Sequence, residues 1–178
     1  MKPVNRTELK RFLGGLSREQ LVTQVLDLWT SFPQVRDYYE AKVRPASDET
    51  VREKYRRIVL HEFYPDRGFG RIRLSVARRA VADYRKLAAS PEGVADLMLF
   101  YVETGVRFTN DYGDIDEAFY SSMERMYASA LAWIRKHGLE ERFEPRCAKI
   151  VEDTRDVGWG FHDALGDTYF AWFDPPDS

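Results

Sequence analysis

Hydrophobic positions along the chain repeat with a period close to 3.6 residues almost throughout, and the alternation typical of half-buried strands is rare. This period places apolar side chains on one face of a helix, so it predicts an all-α protein. The connections between predicted helices are short, which favours a bundle or an array of helical hairpins. We therefore predict one domain, residues 1–178, of about eight helices.

The first predicted helices make an N-terminal hairpin, residues 7–44, that packs on the main bundle. Gly14 ends a short first helix, and Ser17 with Gln20 forms a capping box, in which each side chain accepts from the other residue's backbone N–H. Pro33 ends the second helix, because it has no N–H to donate, and a third short helix follows. The second helix carries one apolar stripe, typical of a helix that packs on a neighbour. The stripe consists of Leu21, Val22, Val25, Leu28, Trp29 and Phe32.

A strong helix start lies in the middle of the chain. Ser90 is an N-cap, Pro91 occupies the first helical position, and Glu92 lies near the positive end of the helix dipole. Apolar residues surround the helix that follows, which is typical of the buried centre of a bundle. Towards the C-terminus, one helix is predicted to begin at Pro145 and the last to cover about Phe161 to Phe173.

The composition narrows the class of protein. The 178 residues are 44% hydrophobic, which fits one folded domain and excludes an intrinsically disordered chain. No apolar run approaches the ~18 residues of a membrane span, and no signal peptide is recognisable. The single cysteine, Cys147, excludes an internal disulfide and a cysteine-rich zinc site. We therefore expect a cytoplasmic protein without contact to a membrane.

The charge is nearly balanced in total but unevenly distributed. Residues 1–50 carry 8 basic and 7 acidic side chains, residues 51–86 carry 11 and 4, and residues 87–178 carry 8 and 18. One interpretation is a folded body whose basic and acidic halves attract each other, and we favour it. The other is a basic surface that binds an anion.

Part of the basic segment looks like a nucleic-acid motif. Residues 67–74 resemble the first half of the RNA-recognition octamer, but Arg71 and Leu74 stand at two of its aromatic positions, and helices rather than strands are predicted on both sides. We therefore reject the motif. The remaining arginines could bind phosphate groups, although a solvated face or pairing with the acidic half is favoured. These anion-binding candidates are Arg67, Arg71, Arg73, Arg78 and Arg79.

An acidic stretch, residues 111–117, resembles a calcium-binding loop. Aligning Gly113 with the invariant glycine of an EF-hand puts Phe108 and Phe119 at the first and last ligand positions. Neither side chain can bind a cation. The stretch is therefore interpreted as the N-terminal cap of the helix that follows.

The histidines and the cysteine give little support for catalysis. None of His61, His137 and His162 has a second histidine one helical turn away, so a zinc-hydrolase site is not supported. Cys147 falls on an apolar stripe, which favours a buried thiol over a nucleophile. We predict no metal, no cofactor and no catalytic residue.

A cluster near the C-terminus remains. Asp163 and Asp167 are four residues apart on a predicted helix, where like charges repel by a few tenths of a kcal/mol unless something compensates. Ion pairs with arginines of residues 67–86 would explain the pair, and we favour them. The alternative is a ligand site formed with Trp159 and His162.

Three stretches carry a resemblance to a known family. They are Leu9-Lys10-Arg11-Phe12-Leu13 with Leu16-Ser17-Arg18-Glu19-Gln20-Leu21, then Arg73-Leu74-Ser75-Val76-Ala77-Arg78, and Gly158-Trp159-Gly160-Phe161-His162-Asp163-Ala164-Leu165. Together they resemble an uncharacterised bacterial family of small all-helical proteins, known as a domain of unknown function. The resemblance implies an intracellular bacterial protein and brings no activity, cofactor or site residue with it.

Three functional hypotheses follow. The leading one is a non-enzymatic protein-interaction or scaffold domain that binds a protein partner or forms a homo-oligomer. Its support is the 25 aromatic residues, more than a small bundle easily buries. The alternative is a nucleic-acid or anion binder acting through residues 67–86. The second alternative is an enzyme that uses His162, Asp163 and Asp167.

Overall fold

A computed structural model of the chain describes residues 3–43, 48–66, 72–87, 90–158 and 160–173. Within these ranges it contains nine α-helices and no strand, which confirms the predicted all-α class. The helices are α1 (Arg6–Gly14), α2 (Arg18–Ser31), α3 (Pro33–Val43), α4 (Asp48–Phe63), α5 (Leu74–Lys86), α6 (Pro91–Tyr112), α7 (Glu117–Lys136), α8 (Glu140–Glu152) and α9 (Phe161–Phe173).

Helix α6 is the centre of the molecule. Its N-cap is Ser90, whose hydroxyl accepts a hydrogen bond from the backbone N–H of Gly93 at 3.0 Å, and Pro91 opens the helix as predicted. Thirteen of its 22 residues are buried. Helices α4, α5, α7 and α8 all pack against it. The core therefore encloses α6 from several sides, as the apolar residues around it predict.

One predicted boundary is wrong. Helix α8 begins at Glu140 rather than at Pro145, which lies inside the helix. Phe143, Cys147 and Ile150 are spaced by four and three residues, share one face and are all buried. Burial of Phe143 extends the helix past the proline, and this packing outweighs the backbone hydrogen bond that proline cannot donate.

The acidic stretch before α7 has the predicted role. The Asp116 carboxylate accepts a hydrogen bond from the backbone N–H of Phe119 at 2.7 Å, so it is the N-cap of α7. Gly138 follows the other end of this helix with a φ of 65°, in the left-handed region that favours glycine. Local sequence signals thus define both ends of α7.

A half-buried ionic network joins three helices at the side of the core. Arg146 on α8 donates two hydrogen bonds to Glu103 on α6, at 2.5 and 2.7 Å, and one to Asp96 at 2.7 Å. Arg52 and Arg56 on α4 approach the other oxygen of Asp96, at 3.4 and 3.6 Å. Basic residues of the segment 51–86 and an acidic residue of the C-terminal half therefore do neutralise each other here.

Residues 4–43, which we call the N-terminal arm, differ from the rest of the chain. Helices α1 and α2 contain no buried residue, and α3 packs on α4. Asp37 on α3 is the anchor: only 6% of it is exposed, and its carboxylate accepts hydrogen bonds from Lys54 Nζ at 2.7 and 2.8 Å and from the Tyr55 hydroxyl at 3.2 Å. This polar contact and Tyr38, which packs against the core, attach the arm to the body.

None of the described helices combines the length and the apolar character that a membrane span requires.

We predict that Arg146→Ala lowers the free energy of unfolding by about 2–3 kcal/mol, because it leaves the partly buried carboxylate of Glu103 without its donor and Asp96 with only the two longer contacts to Arg52 and Arg56. Lys149→Ala on the same helix is the matched control. Lys149 is exposed and pairs with Glu152 and Asp153, so its loss should cost less than about 1 kcal/mol. Urea unfolding measures both; equal losses would contradict a stabilising role for the network.

Candidate functional site

The predicted anion-binding arginines do not share one site in the described residues. Arg67 and Arg71 lie outside the described ranges. Arg73 donates two hydrogen bonds to the buried carboxylate of Glu62, both 2.9 Å long. The Arg73 guanidinium therefore serves as the counter-ion of a carboxylate within the same chain.

The other two described arginines lie on α5 and also have partners in the chain. Arg78 donates to the hydroxyl of Ser122 on α7 at 3.0 Å. Arg79, which is exposed, lies 3.6 Å from Asp83 one turn along the helix. Anion binding by this segment stays a prediction, and the groups available for it in the described part are already in contact with other residues.

Three of the four predicted C-terminal site residues lie together in one groove. His162, Asp163 and Asp167 line a depression of about 440 Å³ between α8 and α9, with Glu152 and Arg155 on the opposite wall. Trp159 lies outside the described residues. Within the described ranges, no three side chains from His, Cys, Asp and Glu come close enough to hold a metal ion.

Hydrogen bonds at its Nδ1 fix the ring of His162. Nδ1 lies 3.1 Å from the carbonyl oxygen of Val151 and 3.0 Å from the hydroxyl of Thr154. The Thr154 hydroxyl itself donates to the same carbonyl at 2.6 Å. Because a carbonyl only accepts, Nδ1 carries the proton and donates, which leaves the lone pair of Nε2 free in the neutral ring.

This contact also has a structural role. The carbonyl of Val151 lies in the last turn of α8 and also accepts from the backbone N–H and the hydroxyl of Thr154, at 3.1 and 2.6 Å. His162, in the first turn of α9, therefore adds a further contact to the C-terminal cap of α8 and joins the two helices that form the groove. Sequence reasoning did not find this cap, because the two residues come together only through the turn between the helices.

The expected ion pairs of Asp163 and Asp167 are not formed in the described part of the basic segment. Both carboxylates are exposed, and the described arginines of that segment contact Glu62, Ser122, Asp83 and the ring of Trp133 instead. The prediction that these aspartates tie the last helix to the body is therefore wrong for residues 72–86. The pair projects into solvent at the rim of the groove.

Cys147 is a buried thiol, as predicted. The residue has no exposed surface, and burial raises the pKa of its thiol to about 12. A thiol that stays protonated and inaccessible cannot act as a nucleophile.

A second surface is apolar and lies on the N-terminal arm. Of the eleven large hydrophobic residues that are exposed in the described part of the chain, nine belong to the arm, and the other two are Tyr112 and Phe170. Sequence reasoning found the apolar stripe of α2 but not its exposure. The nine residues are Val4, Leu9, Phe12, Val22, Leu26, Leu28, Trp29, Phe32 and Val43.

Comparison with known proteins identifies one family. A family model described as "Family of unknown function (DUF6155)" matches residues 4–169, which is most of the chain. No curated protein and no solved structure matches the chain. The match includes both the arm and the groove.

We predict that His162→Ala lowers the free energy of unfolding by about 1 kcal/mol, because the α8 cap loses a hydrogen bond in a half-buried position. His61→Ala, at an exposed position on α4, is the matched control and should change stability by less than about 0.5 kcal/mol. Denaturant unfolding decides; if His162→Ala were as mild as the control, the cap would contribute nothing to stability.

We further predict that Asp167→Ala leaves stability unchanged or raises it by a few tenths of a kcal/mol. The substitution removes an exposed carboxylate that faces Asp163 one turn earlier, where two negative charges repel. A thermal melt of the variant beside the wild type measures the shift. A clear loss of stability would show that Asp167 does form an ion pair, with a partner outside the described residues.

Proposed function

The chain belongs to DUF6155, a family of unknown function, and we propose that it is a non-enzymatic protein-interaction domain whose binding surface is the N-terminal arm. The observation that carries this proposal is the concentration of exposed hydrophobic residues on the arm. Monomeric proteins seldom expose contiguous apolar patches larger than a few hundred Å², and larger ones mark binding sites. Three of these exposed residues, Phe12, Trp29 and Phe32, are aromatic, a class that is enriched in interface cores.

Local capping stabilises the first two helices of the arm, which contain no buried residue. Asn5 and Glu8 form a capping box at the start of α1, and Ser17 and Gln20 form another at the start of α2. Such caps satisfy the free N–H groups at a helix start and stabilise short helices locally. A partner therefore meets preformed helices, and binding costs less conformational entropy than the ordering of a flexible segment would.

The anchor at Asp37 holds this surface on the body. Burial, followed by the charge of Asp37, raises the pKa of the Tyr55 hydroxyl far above its ordinary value. Tyr55 therefore remains a hydrogen-bond donor to Asp37 throughout the physiological range. In this proposal the helical body is a stable support, and the arm is the part that recognises a partner.

The two alternatives have less support. For the anion binder, Arg73, Arg78 and Arg79 already contact other residues of the chain. For the enzyme, the groove offers the Nε2 of His162 beside exposed carboxylates, but no serine, threonine or cysteine is among the described residues that line it. A cytoplasmic location fits the single cysteine, which needs no oxidising compartment.

We predict that a photoreactive maleimide on Leu26→Cys gives one specific cross-linked protein product when the full-length protein is incubated in an extract of its source cells. Cys147 is inaccessible and stays unlabelled. An excess of unlabelled wild-type protein should remove a product formed with another protein and convert a product between two copies into a cross-link to the unlabelled copy, whereas unlabelled Trp29→Asp should do neither.

The control places the same label on Phe170→Cys. The two positions are equally exposed, at 57% for Leu26 and 56% for Phe170, but Phe170 lies on α9 of the body. Two results would exclude the arm as the binding surface. One is a product that forms equally from both labelled positions; the other is a product that excess unlabelled Trp29→Asp removes as well as the wild type does.

A further inference from the structure

Helix α2 has more apolar surface than its neighbours in the chain can cover. At 100° per residue, its apolar positions from Leu21 to Phe32 span an arc of roughly 160°. Helix α3 packs along α2, yet none of the fourteen residues of α2 is buried. Val22, Leu26 and Trp29 are spaced by four and three residues, so they form one exposed row.

We propose that this row is the centre of a homodimer interface, in which the α2–α3 hairpin packs on the same hairpin of a second copy of the chain. The inference rests on the proposed function, since it names the partner of the arm. Such an interface brings four helices together, α2 and α3 from each copy.

The apolar area of the arm matches what such a dimer needs. Six of the nine exposed side chains of the arm lie on α2, on α3 or between them, and each contributes roughly 50–100 Å². Together they offer on the order of 450 Å², close to the apolar share, about 57%, of the ~800 Å² that each partner contributes to an interface of standard size. These two helices therefore have enough apolar surface for an interface with a second copy.

The charge of the arm is compatible with self-association. Residues 3–43 carry six basic and five acidic side chains, so two copies of this surface do not repel each other through their net charge. In a symmetric dimer each surface meets itself, which excludes strong charge of one sign. Residues 51–86, with eleven basic and four acidic side chains, do not meet this condition.

We test the dimer with the purified full-length protein, by sedimentation equilibrium over a wide range of concentration. The wild type should reach twice its chain mass of 20.8 kDa. Leu26→Asp should raise the dissociation constant of the dimer more than about tenfold, because a charge enters the centre of the interface. Phe170→Asp, the control, should not change it. Circular dichroism should show equal helix content in all three proteins.

Cysteine cross-linking tests the symmetry. Leu26 lies between Val22 and Trp29 on the row, so in a two-fold pairing of α2 it comes near its own copy. Leu26→Cys should form an intermolecular disulfide under mild oxidation, whereas Phe170→Cys should not, and the buried Cys147 does not interfere.

Three results would overturn the dimer. A wild-type protein that stays monomeric excludes the dimer. In that case, a cross-linked product in the extract that excess unlabelled wild-type protein removes still supports another protein partner. Binding of a monomer to anionic phospholipid vesicles, lost in Leu26→Asp, assigns the row to a membrane surface instead. A dimer that survives Leu26→Asp has its interface elsewhere. If the extract also gives no competed product, the proposed function fails together with the dimer.

Discussion

The burial of α6 is the constraint on which the rest of the structure depends. A helix with apolar residues on nearly every side is stable only when neighbours cover all of them, and α4, α5, α7 and α8 do so with their own apolar faces. Those faces are then no longer available to other helices. The arm joins the body through the charged and polar contact of Asp37 and through Tyr38, which packs against the core, and nine of its large hydrophobic residues stay exposed.

Besides the buried carboxylate of Glu62, which Arg73 neutralises, charge enters the body on one side of α6. Asp96 and Glu103 are seven residues apart, so they lie two turns apart on one side of α6, where α4 and α8 approach it. Arg146 joins the two carboxylates through hydrogen bonds from two edges of its guanidinium group, one edge to each carboxylate. Removal of the arginine would leave an unpaired charge in a partly buried place. The need to pair this charge therefore constrains the packing of α8 more strongly than apolar contact alone.

The sequence predicts the helices well because their end signals are local. Ser17, Ser90 and Gly138 each act within one turn of a helix end. The start of α8 depends instead on burial of Phe143, and a rule that begins the helix at Pro145 does not take this burial into account. The same limit applies to the sites. Helical spacing predicts that Asp163 and Asp167 face each other, but the partner of His162 is set by an approach between two helices. An apolar stripe, likewise, looks the same whether or not another helix covers it.

The capping boxes of the arm have a consequence for the order of folding. They join residues three apart, near the N-terminus, whereas the bond from Arg146 to Asp96 spans 50 residues. Contacts between near neighbours form faster than those that close long loops, and chains emerge from the ribosome N-terminus first. The arm can therefore be helical while α8 is still being synthesised. Neighbouring ribosomes on one messenger RNA would then hold the apolar rows of two unfinished chains close to each other.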